Sequence, residues 1–157
     1  MPEPRPIAMP ALPLPGGCQC GAVRYRVTGR PLTFYACHCT DCQRQSGSAF
    51  GESMLIGLDD LTVEGETAAF TFINAAGNGS ERTFCPACGT RLWHLREGGT
   101  RYALKAGTLD DPSWLVPVAH IWTASRRPWL SLPGDVPQIP GNPDMAQLMA
   151  EWEARLA

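Results

Sequence analysis

Apolar and polar residues alternate along this chain in short stretches, and glycine and proline punctuate them. Val23, Tyr25 and Val27 interleave with Arg24, Arg26 and Thr28, the period-two pattern of a half-buried strand. Gly29-Arg30-Pro31 turns the chain, after which Leu32, Phe34 and Ala36 share one face of an extended segment. Residues 48–56 predict another strand, with Gly51 marking a bulge or a close backbone approach. Residues 61–64 and 67–73, joined by Gly65-Glu66, predict a hairpin with Phe70 and Phe72 on one face. Residues 74–80 are a loop by their glycines and asparagines, and residues 43–47 read as a polar loop. Residues 90–95, 101–105 and 118–122 are the remaining strands. Only the tail predicts a helix. Asn142 offers an N-cap, Pro143 the first helical position and Asp144 an early acid. Met145, Leu148, Met149, Trp152 and Leu156 then recur on one face, which either packs on the sheet or docks a second copy in a homodimer.

Composition narrows the class. A chain of 157 residues is one domain's worth, and 16 glycines with 15 prolines favour short strands and turns. Prolines recur through residues 1–15, which predict an extended or disordered arm before a folded domain over 16–140 and the tail over 141–157. A net charge of -2, with no basic cluster carrying interleaved aromatics, argues against a nucleic-acid-binding protein. No apolar run reaches the roughly 18 residues of a membrane span. The prolines also leave no apolar stretch for a secretory signal, so a cytoplasmic location is expected. In that reducing compartment an odd count of seven cysteines indicates metal ligands over disulfides.

Those cysteines fall in three groups: Cys18-Gln19-Cys20, then Cys37-His38-Cys39-Thr40-Asp41-Cys42, then Cys85-Pro86-Ala87-Cys88. Two sulfurs a few residues apart form a chelating turn, because one short loop aims both at a single ion. The glycines after Cys20 and Cys88 permit the turn that faces backbone amides to the thiolates. Structural zinc takes four ligands in a closed tetrahedron, whereas catalytic zinc keeps three and an open position. Seven thiols therefore divide into one closed site and one open one. Spacing alone leaves the pairing undecided, since Cys39 and Cys42 with Cys85 and Cys88 would also make a tetrad.

The stretches 17–25, 37–47 and 84–90, with His120-Ile121-Trp122, Ser125-Arg126 and Trp129, resemble the glutathione-dependent formaldehyde-activating enzyme and centromere protein V family. The resemblance covers about residues 16–140. It implies a mainly β fold, a small zinc-binding arrangement of several coiled antiparallel sheets. That arrangement is similar to the zinc-binding guanine-nucleotide-release proteins that act on Rab GTPases; here it carries a C-terminal helix. It also implies two zinc ions per chain: a structural one on Cys18, Cys20, Cys85 and Cys88, and a second on Cys37, Cys39 and Cys42 with its fourth position open. The activity it implies is a carbon–sulfur lyase of the S-(hydroxymethyl)glutathione synthase type, with glutathione and formaldehyde as partners.

An open zinc with three thiolates binds an incoming thiol and lowers its pKa until the proton leaves. A thiolate beside formaldehyde adds to the carbonyl and gives a hemithioacetal. The extra negative charge needs cations, and Arg44 is the nearest in sequence. Arg24, Arg26, Lys105, Arg126 and Arg127 are candidates for the carboxylates of glutathione. His38, between two ligands on a strand end, should point away from the metal, and His94 reads as structural. His120 has no chemical role assignable from the residues. Ser46 and Ser48 lack a base partner, which argues against a serine nucleophile. The competing reading is a non-catalytic zinc module that binds another protein. Three thiols without a fourth favour the enzyme.

Overall fold

The computed structural model describes residues 3–157. The chain divides into two compact units, one of Pro10–Pro31 with Met54–Ser113, the other of Leu32–Ser53 and Trp114–Ala157 with the described part of Met1–Met9. It is mainly β and ends in a helix, as expected.

In the first unit, β1 (Leu14–Gly17), β2 (Arg24–Val27) and β5 (Leu61–Glu64) form an antiparallel sheet in the order β1-β2-β5. The alternation read from residues 23–28 is realised: Val23, Tyr25 and Val27 are buried. The Tyr25 hydroxyl shares a 2.7 Å hydrogen bond with Thr108 Oγ1, so its polar end is satisfied. A larger sheet runs β4-β9-β8-β7-β6, with β6 (Ala68–Ile73), β7 (Gly79–Phe84), β8 (Arg91–Arg96) and β9 (Arg101–Leu104). Its β4 (Gly51–Gly57) enters this unit at Met54.

The hairpin expected across Gly65-Glu66 does not form. β5 pairs with β2, and β6 pairs with β7. The turn chemistry lies further on. Asn74 Oδ1 accepts from the backbone of Ala76 and Asn78 at 3.0 and 2.9 Å, and Gly77 has φ 83°. Gly65, at φ 95°, instead lies so close to the Ala22 carbonyl that an added Cβ would sit 2.1 Å from its oxygen.

One sheet face corrects the expectation that no basic cluster with aromatics exists. Register places Phe70, Arg82, His94 and Ala103 side by side, and alternation adds Phe72, Phe84, Arg96 and Arg101. The guanidinium of Arg82 lies 3.9 Å over the Phe72 ring, and that of Arg91 lies 4.7 Å over Phe70. Burial, then Lys105, Arg82 and Arg91, push His94 down to about 2, so its ring is neutral. These residues are scattered over four strands, and pairing alone gathers them.

In the second unit the strand order is β11-β10-β3-β4, with β3 (Thr33–Cys37), β10 (His120–Ile121) and β11 (Gln138–Ile139). Here β10 runs parallel to both neighbours. Helix α2 (Met145–Arg155) is capped by Asp144, whose carboxylate accepts from Ala146 and Gln147, two residues later than the expected Asn142 cap. Leu148 and Trp152 are buried, with Trp152 6.2 Å from Trp114, and Thr33 Oγ1 donates to the Leu148 carbonyl at 3.1 Å. The centre of the tail's apolar stripe, Leu148 and Trp152, is thus buried within this unit, while Met145, Met149 and Leu156 stay half-exposed.

Two further expectations change. Residues 43–47 are not a loop: Thr40–Ser46 form α1, a second helix. Its caps are Cys39, whose sulfur takes an amide, and Gly47 at φ 61°. A seven-residue polar helix has no apolar stripe to signal it. Of the arm over 1–15, Met1 and Pro2 lie outside the described residues, and the rest is not loose. Ile7 is fully buried; its N–H donates to the Arg155 carbonyl at 2.8 Å and its carbonyl accepts from Ala157 at 3.1 Å. Leu14 then opens β1. Among the described residues no helix is long and apolar enough to cross a membrane.

Candidate metal centres

Two backbone knuckles build the first centre. Cys18 follows β1, and its N–H donates to the Val23 carbonyl at 3.0 Å while Gly21, at φ 81°, closes the turn. Cys85 follows β7; Gly89, at φ 76°, donates back to its carbonyl at 2.8 Å. The four sulfurs of Cys18, Cys20, Cys85 and Cys88 all lie within 4.8 Å of one another. Cys18 and Cys20 are 3.6 Å apart, and Cys20 and Cys85 3.8 Å. A tetrahedron with zinc–sulfur bonds of about 2.3 Å has sulfurs about 3.8 Å apart, whereas a disulfide needs about 2.0 Å. The spacing is therefore that of ligands around one ion. Donors for the thiolates are present. The Val23 N–H reaches Cys18 Sγ at 3.2 Å, and the Thr90 hydroxyl lies 3.1 Å from Cys88 Sγ. The Thr90 hydroxyl and then its backbone N–H bring Cys88 down to about 5.

The second centre gathers Cys37, Cys39 and Cys42, again within 4.8 Å of one another. Cys37 ends β3 and is buried. Cys39 caps α1, and the Cys42 N–H donates to its sulfur at 3.3 Å. Gly51 backs onto Cys42: an added Cβ would lie 3.2 Å from Cys42 Cβ and 3.5 Å from its sulfur. The close approach read at Gly51 is thus made to the Cys42 side chain. The thiols of Cys37 and Cys42, followed by the amides at the start of α1, pull Cys39 down to about 2. Cys39, then Cys42, then burial push Cys37 far up. Three thiolates brought this close repel one another and need a cation among them. Where spacing left the grouping undecided, the sulfurs of Cys18, Cys20, Cys85 and Cys88 lie together in one group and those of Cys37, Cys39 and Cys42 in another.

His38 lies between two of the thiols but is not of their group. Fully buried, its Nε2 shares a 2.9 Å hydrogen bond with His120 Nδ1. Burial, and then Arg126, lowers His38; burial, then His38 and Arg126, brings His120 to about 4. The pair is therefore neutral. His120, which had no role from sequence, is the partner of His38.

The other candidates separate. Arg44 is exposed on α1. Arg24 pairs with both carboxylate oxygens of Asp110, and with Arg26, Tyr25, Pro15, Thr62 and Glu64 it lines a cavity of about 220 Å³. Arg126 donates to the Leu130 carbonyl, Arg127 is exposed, and the charge of Lys105 helps to lower His94. The Ser46 hydroxyl donates to the Cys42 carbonyl at 2.7 Å, as a helical hydroxyl and not a nucleophile. Gln43, set aside with the polar loop, is buried against this centre.

A mainly β chain with four sulfurs at chelating distance in one place and three in another has two cysteine groups that could each hold a metal ion. The sequence pattern of the family described as glutathione-dependent formaldehyde-activating enzyme matches residues 13–125, and the chain belongs to that family. A Halomonas elongata protein, whose name provisionally assigns it as a glutathione-dependent formaldehyde-activating enzyme, is 28% identical over 152 residues, covering 91% of this chain and 96% of its own. A solved Rhodobacter sphaeroides protein aligns with a TM-score of 0.49 and 24% identity, over 62% of this chain and 88% of that one.

Proposed function

We propose that the chain is a zinc-dependent carbon–sulfur lyase of the S-(hydroxymethyl)glutathione synthase type, acting on glutathione and formaldehyde. The observation that carries this reading is the trio Cys37, Cys39 and Cys42 with no fourth cysteine in its group. Cys18, Cys20, Cys85 and Cys88 would hold a structural zinc, and the trio a second one. A zinc on three thiolates supplies an open position that favours the deprotonated form of an incoming thiol.

The chain's own residues do the rest. Cys39 caps the start of α1, where the Cys42 N–H donates to its sulfur, and Cys37 is buried at the end of β3. The neutral, buried His38–His120 pair adds no charge beside the trio. Arg44 is the cation proposed for the substrate's added charge. In the net reaction the sulfur of glutathione bonds to the formaldehyde carbon, and the carbonyl oxygen ends as a hydroxyl bearing the proton that the thiol gave up.

The test joins metal analysis with a substrate assay. Wild type should hold two zinc ions per chain, and Cys39→Ser one, with a cooperative melt retained. Proton NMR exchange between free glutathione and its hydroxymethyl adduct should be faster with wild type than without protein. An unchanged exchange rate refutes the activity. The alternative is a non-catalytic zinc module for another protein, and it draws on Trp129 and Ile73, which are 74% and 57% exposed. It predicts wild-type and Cys39→Ser proteins with equal, spontaneous exchange.

A further inference from the structure

We infer that Gln43 is the positioning residue of the three-thiol centre. It follows Cys42 in α1, and its side chain is buried, at 8% exposure. Its carboxamide nitrogen has two hydrogens, and two backbone carbonyls receive them: His38 at 2.8 Å and Ser125 at 2.8 Å. Both neighbours only accept, which sets the orientation of the amide. His38 is the residue that separates Cys37 from Cys39. Its backbone N–H donates to the Ile121 carbonyl at 2.9 Å, and its ring meets His120 at 2.9 Å.

The middle of the thiol loop is thus held at three points, and of these only Gln43 belongs to α1, the element that carries Cys42. One side chain couples the Cys37–Cys39 turn to the helix and ties both to Ser125, the last residue of the 3-10 turn Thr123–Ser125. An apolar side chain of the same length would fill the space but leave two carbonyls without this donor. Partners that orient metal ligands without touching the metal typically change metal affinity about 10–100-fold when removed. Gln43 fits that role, on the reading that the trio holds a metal.

The test uses the full chain stripped of metal and titrated with cobalt(II), whose thiolate charge-transfer and ligand-field bands report each centre, with a competing chelator to read affinities. Wild type should take two ions, the one at the trio released first. Gln43→Met should weaken the trio's ion about 10–100-fold and shift its ligand-field bands, with the tetrad's affinity within about twofold of wild type. Metal-free Gln43→Met should also show altered iodoacetamide rates at Cys37, Cys39 and Cys42, mapped by mass spectrometry. If Gln43→Met does not fold, Gln43→Asn, with both donors one methylene shorter, is held to the same criteria. Unchanged bands and affinity at the trio, or equal weakening of both centres, overturns the role of Gln43 alone. A wild type that takes only one ion overturns the zinc reading of the trio first.

Discussion

Gly51→Ala sets two effects of opposite sign against each other. Gly51 lies in β4 without a positive φ, so alanine is sterically permitted by the backbone. Replacing a strand glycine by alanine removes unfolded-state freedom and should gain roughly 0.5–1 kcal/mol. Against this, the new Cβ would lie 3.2 Å from Cys42 Cβ, 3.3 Å from Gln45 Nε2 and 3.5 Å from Cys42 Sγ. Neighbours must yield by a few tenths of an ångström, and Cys42 is tethered in α1. Overpacking of a buried site costs about 1–3 kcal/mol, which outweighs the gain and leaves a net loss of roughly 0–2.5 kcal/mol. Any displacement falls on the sulfur of Cys42, and each 1.4 kcal/mol lost from ligation is about tenfold in affinity. On the proposed zinc reading we therefore expect about tenfold weaker binding at the trio, with the tetrad unchanged. Denaturant unfolding of metal-free protein gives the first quantity and chelator competition the second. A Gly51→Ala protein that is more stable and binds both ions as wild type would show that Cys42 is not crowded from β4.

Ile7→Ala tests whether the arm belongs to the folded protein: removing a fully buried isoleucine should cost about 2–5 kcal/mol in urea unfolding, whereas a loose arm would give almost nothing. His120 is held at about 4 by burial, below the usual histidine value, so the unfolded chain takes up a proton that the folded chain refuses. Stability of metal-free protein should therefore fall as pH drops from about 6.5 towards 4, with about 2–3 kcal/mol of the fall due to His120. His94, also held low, titrates over the same window, so His120→Gln should shrink the fall by that share without abolishing it in pH-dependent denaturation curves. A wild-type profile level across that range would contradict a neutral buried pair.

Much of this protein was determined by residues that are neighbours in sequence. A two-residue period produces a strand face wherever it occurs, so the burial of Val23, Tyr25 and Val27 was legible. Cysteines a few residues apart with a trailing glycine dictate a chelating turn, so each knuckle was legible too. Which knuckles meet is a long-range matter, and only the folded chain placed Cys18 and Cys20 beside Cys85 and Cys88. The same holds for β5, whose partner is β2 and not the adjacent β6, because the Asn74 turn captures β6. It holds for Ile7 against Arg155, for His38 against His120, and for the arginine–phenylalanine face assembled from four strands. Helix α1 escaped for a different reason: a short polar helix capped by a cysteine has neither an apolar stripe nor an ordinary N-cap. Local chemistry is written in the order of residues. The meeting of distant segments depends on which surfaces bury together, and that is a property of the whole fold.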